Sequence, residues 1–459
     1  MKFKALLVLM SLCIQTACSS YEEASINHEK LFQELGAREI TQEHINVAQE
    51  RLKNSRVLNG QNISFEPDNG LSIDESFLVG LSFSPELAIY REEIKNQQSW
   101  LYAVSGIGAV TFNAQNTSKF SDGRHQSSLM FDIKQILGSD LKKASMAIGD
   151  AKILSAQLSM FEAQWQLYSF LRRNFAALSL LRAEKKSLIA LQKKYVDNIG
   201  KSATAFKKSK RSTQSAWSMY VMFASEIDTR ISDIRVKEIN LTKNIKERIG
   251  LMPETKHFFE ASPISYTAEQ LENKTTLKSA ALQKRWDLQL LLAQYEIKEQ
   301  ELRKAVASQY PSMYLGPTFR FGPGSDIFGG SLTLNFPDSR HSKGQIESAA
   351  AKRLKTRHRI EKRLLHLAHS IERTLALFNN HLHNRKNWQN DVLPAVSKAS
   401  DASIVALRKN PEALKDSVEM FEGEFHSLKE YWALQQTLLA SAMDLEQTLG
   451  YPLFKKISP

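Results

Sequence analysis

The residues best suited to chemistry in this chain are histidines and carboxylates in its last third. His366 and His369 lie three apart, on one face of a helix, with His358, His381 and His383 nearby. Imidazoles at such spacing are what a zinc site uses, but the site also needs further donors, and no cysteine or matching acid accompanies them. Interfacial or solvated histidines are the better reading, and no metal is expected. Asp416, Glu419 and Glu422 also recur at three-residue spacing. Ringed around a bore they would favour cations; helix-surface acids are the simpler reading. No Gly-rich phosphate loop, GxSxG, HExxH or paired-cysteine motif occurs, so nothing marks an enzyme and no cofactor is expected.

Cysteine supplies one further candidate. Lys2 and Lys4 precede an apolar run from Ala5 to Ile14, too short to span a bilayer as a helix, which fits a secretory signal. Thr16-Ala17-Cys18 is like the lipoprotein cleavage box, with Gln15 where an aliphatic residue is usual. Cleavage after residue 17 would leave Cys18 as a lipidated first residue, and several acyl chains on it would anchor the chain firmly. An ordinary secreted protein cut near Ala17 is the alternative. Ser19 follows, without an inner-membrane retention aspartate, so the outer membrane is the expected address. The only other cysteine, Cys13, lies inside the signal, which leaves the mature chain no thiol for a disulfide, a redox site or a nucleophile.

The formal net charge is +12, a balance that raises the question of nucleic acid. The cations are interspersed with glutamates along helices, and no recognition motif or aromatic stacking platform accompanies them. Solvated helix faces explain them, and no nucleic-acid partner is expected. Lys201, Lys207, Lys208, Lys210 and Arg211 form one denser cluster.

The elements that must position these residues are organised around 285–351. Leu288, Leu291, Leu292, Tyr295, Ile297 and Leu302 predict a helix that Pro311 ends. Two alternating runs follow. Met313, Leu315, Phe319 and Phe321 alternate with Tyr314, Gly316, Thr318 and Arg320; after PGSDIFGG, Leu332, Leu334 and Phe336 alternate with Ser331, Thr333 and Asn335. Both read as strands, at about 312–322 and 330–337, and Pro317 inside the first implies a bulge or an edge. The same device precedes it: a helix pair from Leu71 to Val104 broken at Ser84-Pro85, then strands at about 105–114 and 127–136 with Leu129, Phe131 and Ile133 alternating with Met130, Asp132 and Lys134.

Each strand pair leads into a long helical hairpin. From Ser139 to Gly200 there is no proline, and apolar residues recur by threes and fours from Ile148 to Leu181, which predicts a helix about 90 Å long at ~1.5 Å per residue. Such length points to coiled-coil packing. The return runs from Ser212 to Ile249, with Gly200 and the basic stretch as the turn. A second hairpin goes out from Ser342 to Ala395, with Pro394 as a boundary or kink, and returns from Pro411 to Gly450. Pro85-Glu86-Leu87 matches Trp286-Asp287-Leu288, and Gly250 matches Gly450, at one shift of about 200 residues, the mark of a tandem repeat.

Four segments in this order, GLSIDESFLVGLSFSPELAIY, RWDLQLLLAQYEIKEQELRKAVASQYPSMYLGPTFRFG, SLTLNFPDSRHSKGQIESAAAKR and LLASAMDLEQTLGYP, resemble the TolC-like outer-membrane efflux protein family over nearly the whole mature chain. The expected fold is mainly α with a small β part: long antiparallel α-helical hairpins forming an α-barrel, plus four strands contributing to a transmembrane β-barrel, with an internal two-fold repeat. Four strands cannot close a barrel, and an open sheet in lipid would leave backbone groups unpaired at several kcal/mol each, so several copies must close it. The resemblance implies three, giving a homotrimer with about twelve strands. Leu129, Phe131, Ile133, Met313, Leu315, Phe319, Phe321, Leu332, Leu334 and Phe336 would then face outer-membrane lipid. Asp132, Lys134, Tyr314, Thr318, Arg320, Thr333 and Asn335 would line the water-filled side, and Asp416 and Glu419 would lie further down the bore.

The expected organisation is a lipoprotein signal at 1–17, a tether and lead-in at 18–70, a first repeat at 71–250 with its hairpin at 139–250, a linker at 251–280, a second repeat at 281–450 with its hairpin at 340–450, and a tail at 451–459. The resemblance implies a passive duct in a tripartite efflux pump or a type I secretion system. It also implies periplasmic tips at Gly200, Lys201 and Ser202 and at Asn410 and Pro411, which dock an adaptor (membrane fusion) protein and so connect to an inner-membrane pump of the RND or ABC type. The alternative is a non-conducting periplasmic coiled-coil adaptor or structural lipoprotein. An adaptor should show one hairpin flanked by lipoyl-like β segments, whereas this chain shows two hairpins, each preceded by a strand pair.

Overall fold

The structure is a computed structural model that describes residues 21, 23–53, 55, 57, 63–105, 110–119, 124–133, 135–136, 140–201, 204, 214–260, 263–264, 266, 271, 273–320 and 327–454. Cys18, Lys134, Ser202 and Phe321 fall outside them. The chain divides into two units, Met1–Ile40 and Thr41–Pro459. The first contains helix α1, His28–Gly36, whose Asn27 side chain accepts from the backbone N–H groups of Glu29 and Lys30 and which buries no residue.

The second unit begins with α2, Gln42–Lys53, where Ile45, Ala48 and Leu52 are fully or almost fully buried. Within the tether and lead-in expected over 18–70, α2 packs on the body, because three apolar residues on one helical face have a core to enter. Helix α3, Ile73–Phe83, starts in a capping box in which Ser72 and Glu75 satisfy one another's backbone N–H groups. Ser84 ends it, and Pro85 opens α4, Pro85–Ser105, since a proline at the first helical position sacrifices no intrahelical bond. The first strand expected at 105–114 starts later, because α4 occupies the residues as far as Ser105.

Strands β1, Val110–Lys119, and β2, Arg124–Ile133, form an antiparallel pair. A second sheet orders β3, Gln135–Ile136, beside β4, Ser312–Arg320, and β4 beside β5, Ile327–Asn335. The register matches the apolar positions of one strand to those of its neighbour: Phe112 with Phe131, Met313 with Leu334, and Leu315 with Leu332. Pairing of β4 with β5 runs without a bulge through Pro317, which lies opposite Gly330, and on its other side β4 pairs with β3 at Tyr314 and Leu315. The unbroken register with β5 does not contain the bulge that Pro317 was expected to imply. Helix α8, Trp286–Ala307, leads into β4.

The long helices leave from the strands. Helix α5, Asp140–Tyr195, has 56 residues, or ~84 Å. It widens into a π-helical turn at Val196–Gly200 and returns as α6, Gln214–Ile249. Helix α9, Ser339–Asn387, passes through a second π-helical turn, Trp388–Val392, and continues as α10, Leu393–Lys409. Pro394 stands at the start of α10, so it marks a change of winding in an outward helix that carries on to Lys409. Helix α11, Leu414–Leu449, returns. Gly250 and Gly450 both adopt the left-handed conformation that ends a helix, at φ of 84° and 82°. A side chain on Gly250 would run into the carbonyl oxygen of Phe83.

Residues 251–280 are more than a linker. Ile264 and Tyr266, with Leu277 and Ala281 of α7, Lys274–Lys284, are buried in a core with Phe378, Leu438, Leu445 and Phe454. The bridge between Leu71 and Phe259 ties the same stretch to the start of α3. Between α5 and α11, Arg172 and Glu446, 2% and 1% exposed, form a bidentate pair at 2.9 and 2.7 Å. Arg172 also donates to the Phe454 carbonyl, and Glu446 accepts the backbone N–H groups of Leu453 and Phe454. That network fixes the chain end after α11. No helix among the described residues is long and apolar enough to cross a membrane.

Candidate functional site

The far ends of α5, α6, α10 and α11 meet in one apolar cluster that includes Tyr195, Ile199, Phe223, Leu407, Val418, Phe421 and Phe425. Tyr195 is its centre. The ring stacks on Tyr220 with centroids 5.2 Å apart, meets Phe223 edge-on at 4.8 Å and leans on Phe421 at 5.4 Å, geometries favoured by the aromatic quadrupole. Its hydroxyl donates to the backbone carbonyl of Tyr220 at 3.3 Å, and burial pushes its pKa well above the usual tyrosine range.

Gly200 is part of this packing. It is buried, the residue after it is still helical, and a side chain here would come 2.5 Å from the Tyr220 hydroxyl. Gly200 itself does not turn the chain: the backbone passes it in helical conformation, and glycine serves close approach to Tyr220. Lys201 is exposed and pairs with Asp197 at 3.1 Å. At the other tip, Asn410 leaves helical geometry at φ −133° and its side chain accepts the Glu412 N–H, while Pro411–Ala413 forms a 3-10 turn into α11. Asn and Pro there reverse the chain in the way their side-chain bonding and fixed φ favour.

A polar network beside the cluster joins the two hairpins. Lys194 of α5 lies 2.9 Å from Asp401, 3.1 Å from Glu424 and 2.8 Å from the Ser400 hydroxyl, which itself donates to Glu424 at 2.5 Å. Nearer the tip, Arg408 donates to the Asn198 side chain at 3.2 Å. Higher up, Glu184, almost fully buried, accepts from Arg230 of α6 and from Gln436 of α11. The arrangement bridges the two hairpins. It holds hairpin to hairpin through charge-assisted contacts that are partly open to solvent.

Of the acids singled out in the sequence, Asp416 and Glu419 are exposed on the first turns of α11, and Glu419 lies 3.7 Å from Lys415. Burial pushes the Glu422 carboxyl up, with Glu226 and Glu419 adding to the effect and His426 opposing it. Asp132 and Arg320 take ladder positions opposite Thr111 and Ile327. Among the described residues no cluster of metal-ligating side chains occurs; His358 contacts Glu361 at 2.9 Å. Sequence reading missed Lys194, Ser400, Asp401 and Glu424. Lys194 and Glu424 are 230 positions apart, and no local pattern joins them.

No protein-family model matches the chain, and none of the curated proteins matches it in sequence. Solved structures do match in shape. The outer membrane protein VceC of Vibrio cholerae superposes with a TM-score of 0.67 at 14% identity, over 83% of this chain and 96% of that one. CusC, described in terms of transmembrane channel formation, gives 0.71 at 11% identity over 85% and 95%. The Campylobacter jejuni CmeC outer membrane channel gives 0.65 at 11% over 94% of each chain. The chain therefore has the fold of TolC-like outer-membrane channels.

Proposed function

We propose that this protein is the outer-membrane channel of a tripartite efflux pump or type I secretion system, a passive trimeric duct and not an enzyme. The observation that carries the reading is the open edge of each sheet. Among the described residues β1 pairs only with β2 and β5 only with β4, although each pair leads into helices of channel length. Unpaired strand edges cannot face lipid, so copies of the chain complete the wall. The repeated order of helix, strand pair, long helix and return at 85–249 and 286–449 supports a two-fold internal repeat within each copy.

In this reading Cys18 anchors the chain to the outer membrane, and the long hairpins extend into the periplasm. Asp132, Lys134 and Arg320 line the upper bore and Asp416 and Glu419 the lower. The tips around Gly200, Lys201 and Ser202 and around Asn410 and Pro411 dock a periplasmic adaptor and through it an inner-membrane pump of the RND or ABC type. Docking opens the bore by loosening the contacts of Lys194 with Asp401 and Glu424.

The test is single-channel recording on purified full-length protein in planar bilayers, with the oligomeric state read in parallel. A trimer with discrete conductance steps is expected, and Lys194→Met should raise the open fraction. A monomer that stays silent, also after the tip substitution, refutes the duct.

A further inference from the structure

A cavity of about 580 Å3 lies between the last turns of α8 and the first turns of α9, bordered by Lys304, Ser308, Arg340, His341, Gly344 and Lys352. None of Lys304, Arg340 and Lys352 has a carboxylate within ion-pair distance among the described residues. The one acid lining the cavity, Glu301, is held by Lys298 at 2.8 Å. The cations are also set against the helix dipole. The first turn of α9 contains no acid, its Asp338 cap is engaged with the His341 N–H, and Arg340 and Lys343 stand at the positive end of a helix of 49 residues. Helix N-termini attract anions and disfavour cations. Space is open too, since a side chain built on Gly344 would meet nothing within 4 Å.

The position of the cavity narrows what fills it. Helix α8 ends at Ala307 and β4 starts at Ser312; β5 ends at Asn335 and α9 starts at Ser339. Between strand and helix stand Tyr310 and Phe336, 66% and 74% exposed, and above Phe336 the alternating Leu334 and Leu332 are exposed as well. Along the chain axis the order is thus an apolar stripe, aromatic rings, then uncompensated cations. A phospholipid presents acyl chains, a glycerol interface and a phosphate in that same order.

We propose that this cleft is a binding site for the phosphate headgroup of an anionic glycerophospholipid in the periplasmic leaflet of the outer membrane. It rests on the membrane-spanning reading of the strands. Lys304 and Arg340 contact the phosphate, His341 supplies a hydrogen bond, and Tyr310 and Phe336 pack on the interface region.

The experiment is native mass spectrometry of the full-length protein titrated with phosphatidylglycerol, phosphatidylcholine and inorganic phosphate, on the wild type and on Lys304→Gln, Arg340→Gln and Lys352→Gln, singly and together. Preferential retention of phosphatidylglycerol is expected, about fivefold weaker for each cation removed, with no displacement by inorganic phosphate. Equal retention of both lipids, retention unchanged in the triple variant, or displacement by inorganic phosphate would each overturn the site. Arg340→Glu gives a charge reversal that must weaken retention further than Arg340→Gln. Conductance recorded on the same preparations separates the two readings. A conducting triple variant with undiminished phosphatidylglycerol binding sinks the lipid site alone, whereas a silent wild type that loses the lipid on substitution supports the site and sinks the duct.

Discussion

Replacing Arg172 by methionine should destabilise the protein far more than removing a charge from an exposed ion pair. The side chain is 2% exposed and donates to both oxygens of Glu446 and to the Phe454 carbonyl, at 2.9, 2.7 and 2.7 Å. Methionine fills much of the volume but leaves the Glu446 carboxylate buried without its counter-charge, a change that costs about 3–5 kcal/mol. Two backbone N–H groups, of Leu453 and Phe454, still reach Glu446 and keep the loss toward the lower end. Glu446→Leu strands the guanidinium instead and should cost a similar amount. The double replacement removes both charges, so its cost should fall at least about 2 kcal/mol short of the sum of the singles. Urea unfolding of the full-length protein in detergent, followed by circular dichroism at fixed protein concentration, measures all three variants. Strictly additive costs, or a loss under about 1 kcal/mol for Arg172→Met, would show that the pair is not the buried anchor the geometry describes.

Three further outcomes are expected. Burial, with Asp287 nearby, raises the Glu162 pKa, so the folded state binds its proton more readily than the unfolded chain does and charging Glu162 at neutral pH costs stability. Glu162→Gln should therefore stabilise the protein at pH 7, and the gain should vanish below the unfolded carboxylate range; a gain that grows toward acid pH contradicts this. Asp287 is partly buried too, but hydrogen bonds and charge from Arg285 and Arg363 outweigh that burial and hold its carboxyl below the usual range. It contributes stability present above the unfolded pKa and lost as pH falls through the folded one, so Asp287→Asn should flatten the acid limb of a thermal-unfolding profile. Gly250→Ala should destabilise by at least about 2 kcal/mol, because it combines a left-handed φ of 84° with a clash against the Phe83 carbonyl. Thermal unfolding within a degree of wild type would refute it.

The sequence determined the elements and their order. The proline at Pro85, the glycines at Gly250 and Gly450 and the alternation through Leu332, Leu334 and Phe336 are local signals, because each depends on backbone freedom or side-chain period within a few residues. The Asn410-Pro411 turn was legible for the same reason. Gly200 was misread since a glycine marks either a turn or a close approach, and only the position of Tyr220 across the hairpin tells which. The packing of the lead-in and of the linker was not legible: Ile45 and Leu52 in α2, and Tyr266 in the crossing segment, look like isolated apolar residues until a core receives them. Tertiary structure alone decided the pairings that hold the hairpins together, Lys194 with Glu424 and Arg172 with Glu446, across 230 and 274 positions. Charge on a long helix is abundant and nearly uniform in sequence, and which of those charges become partners is set by the packing of one helix on another.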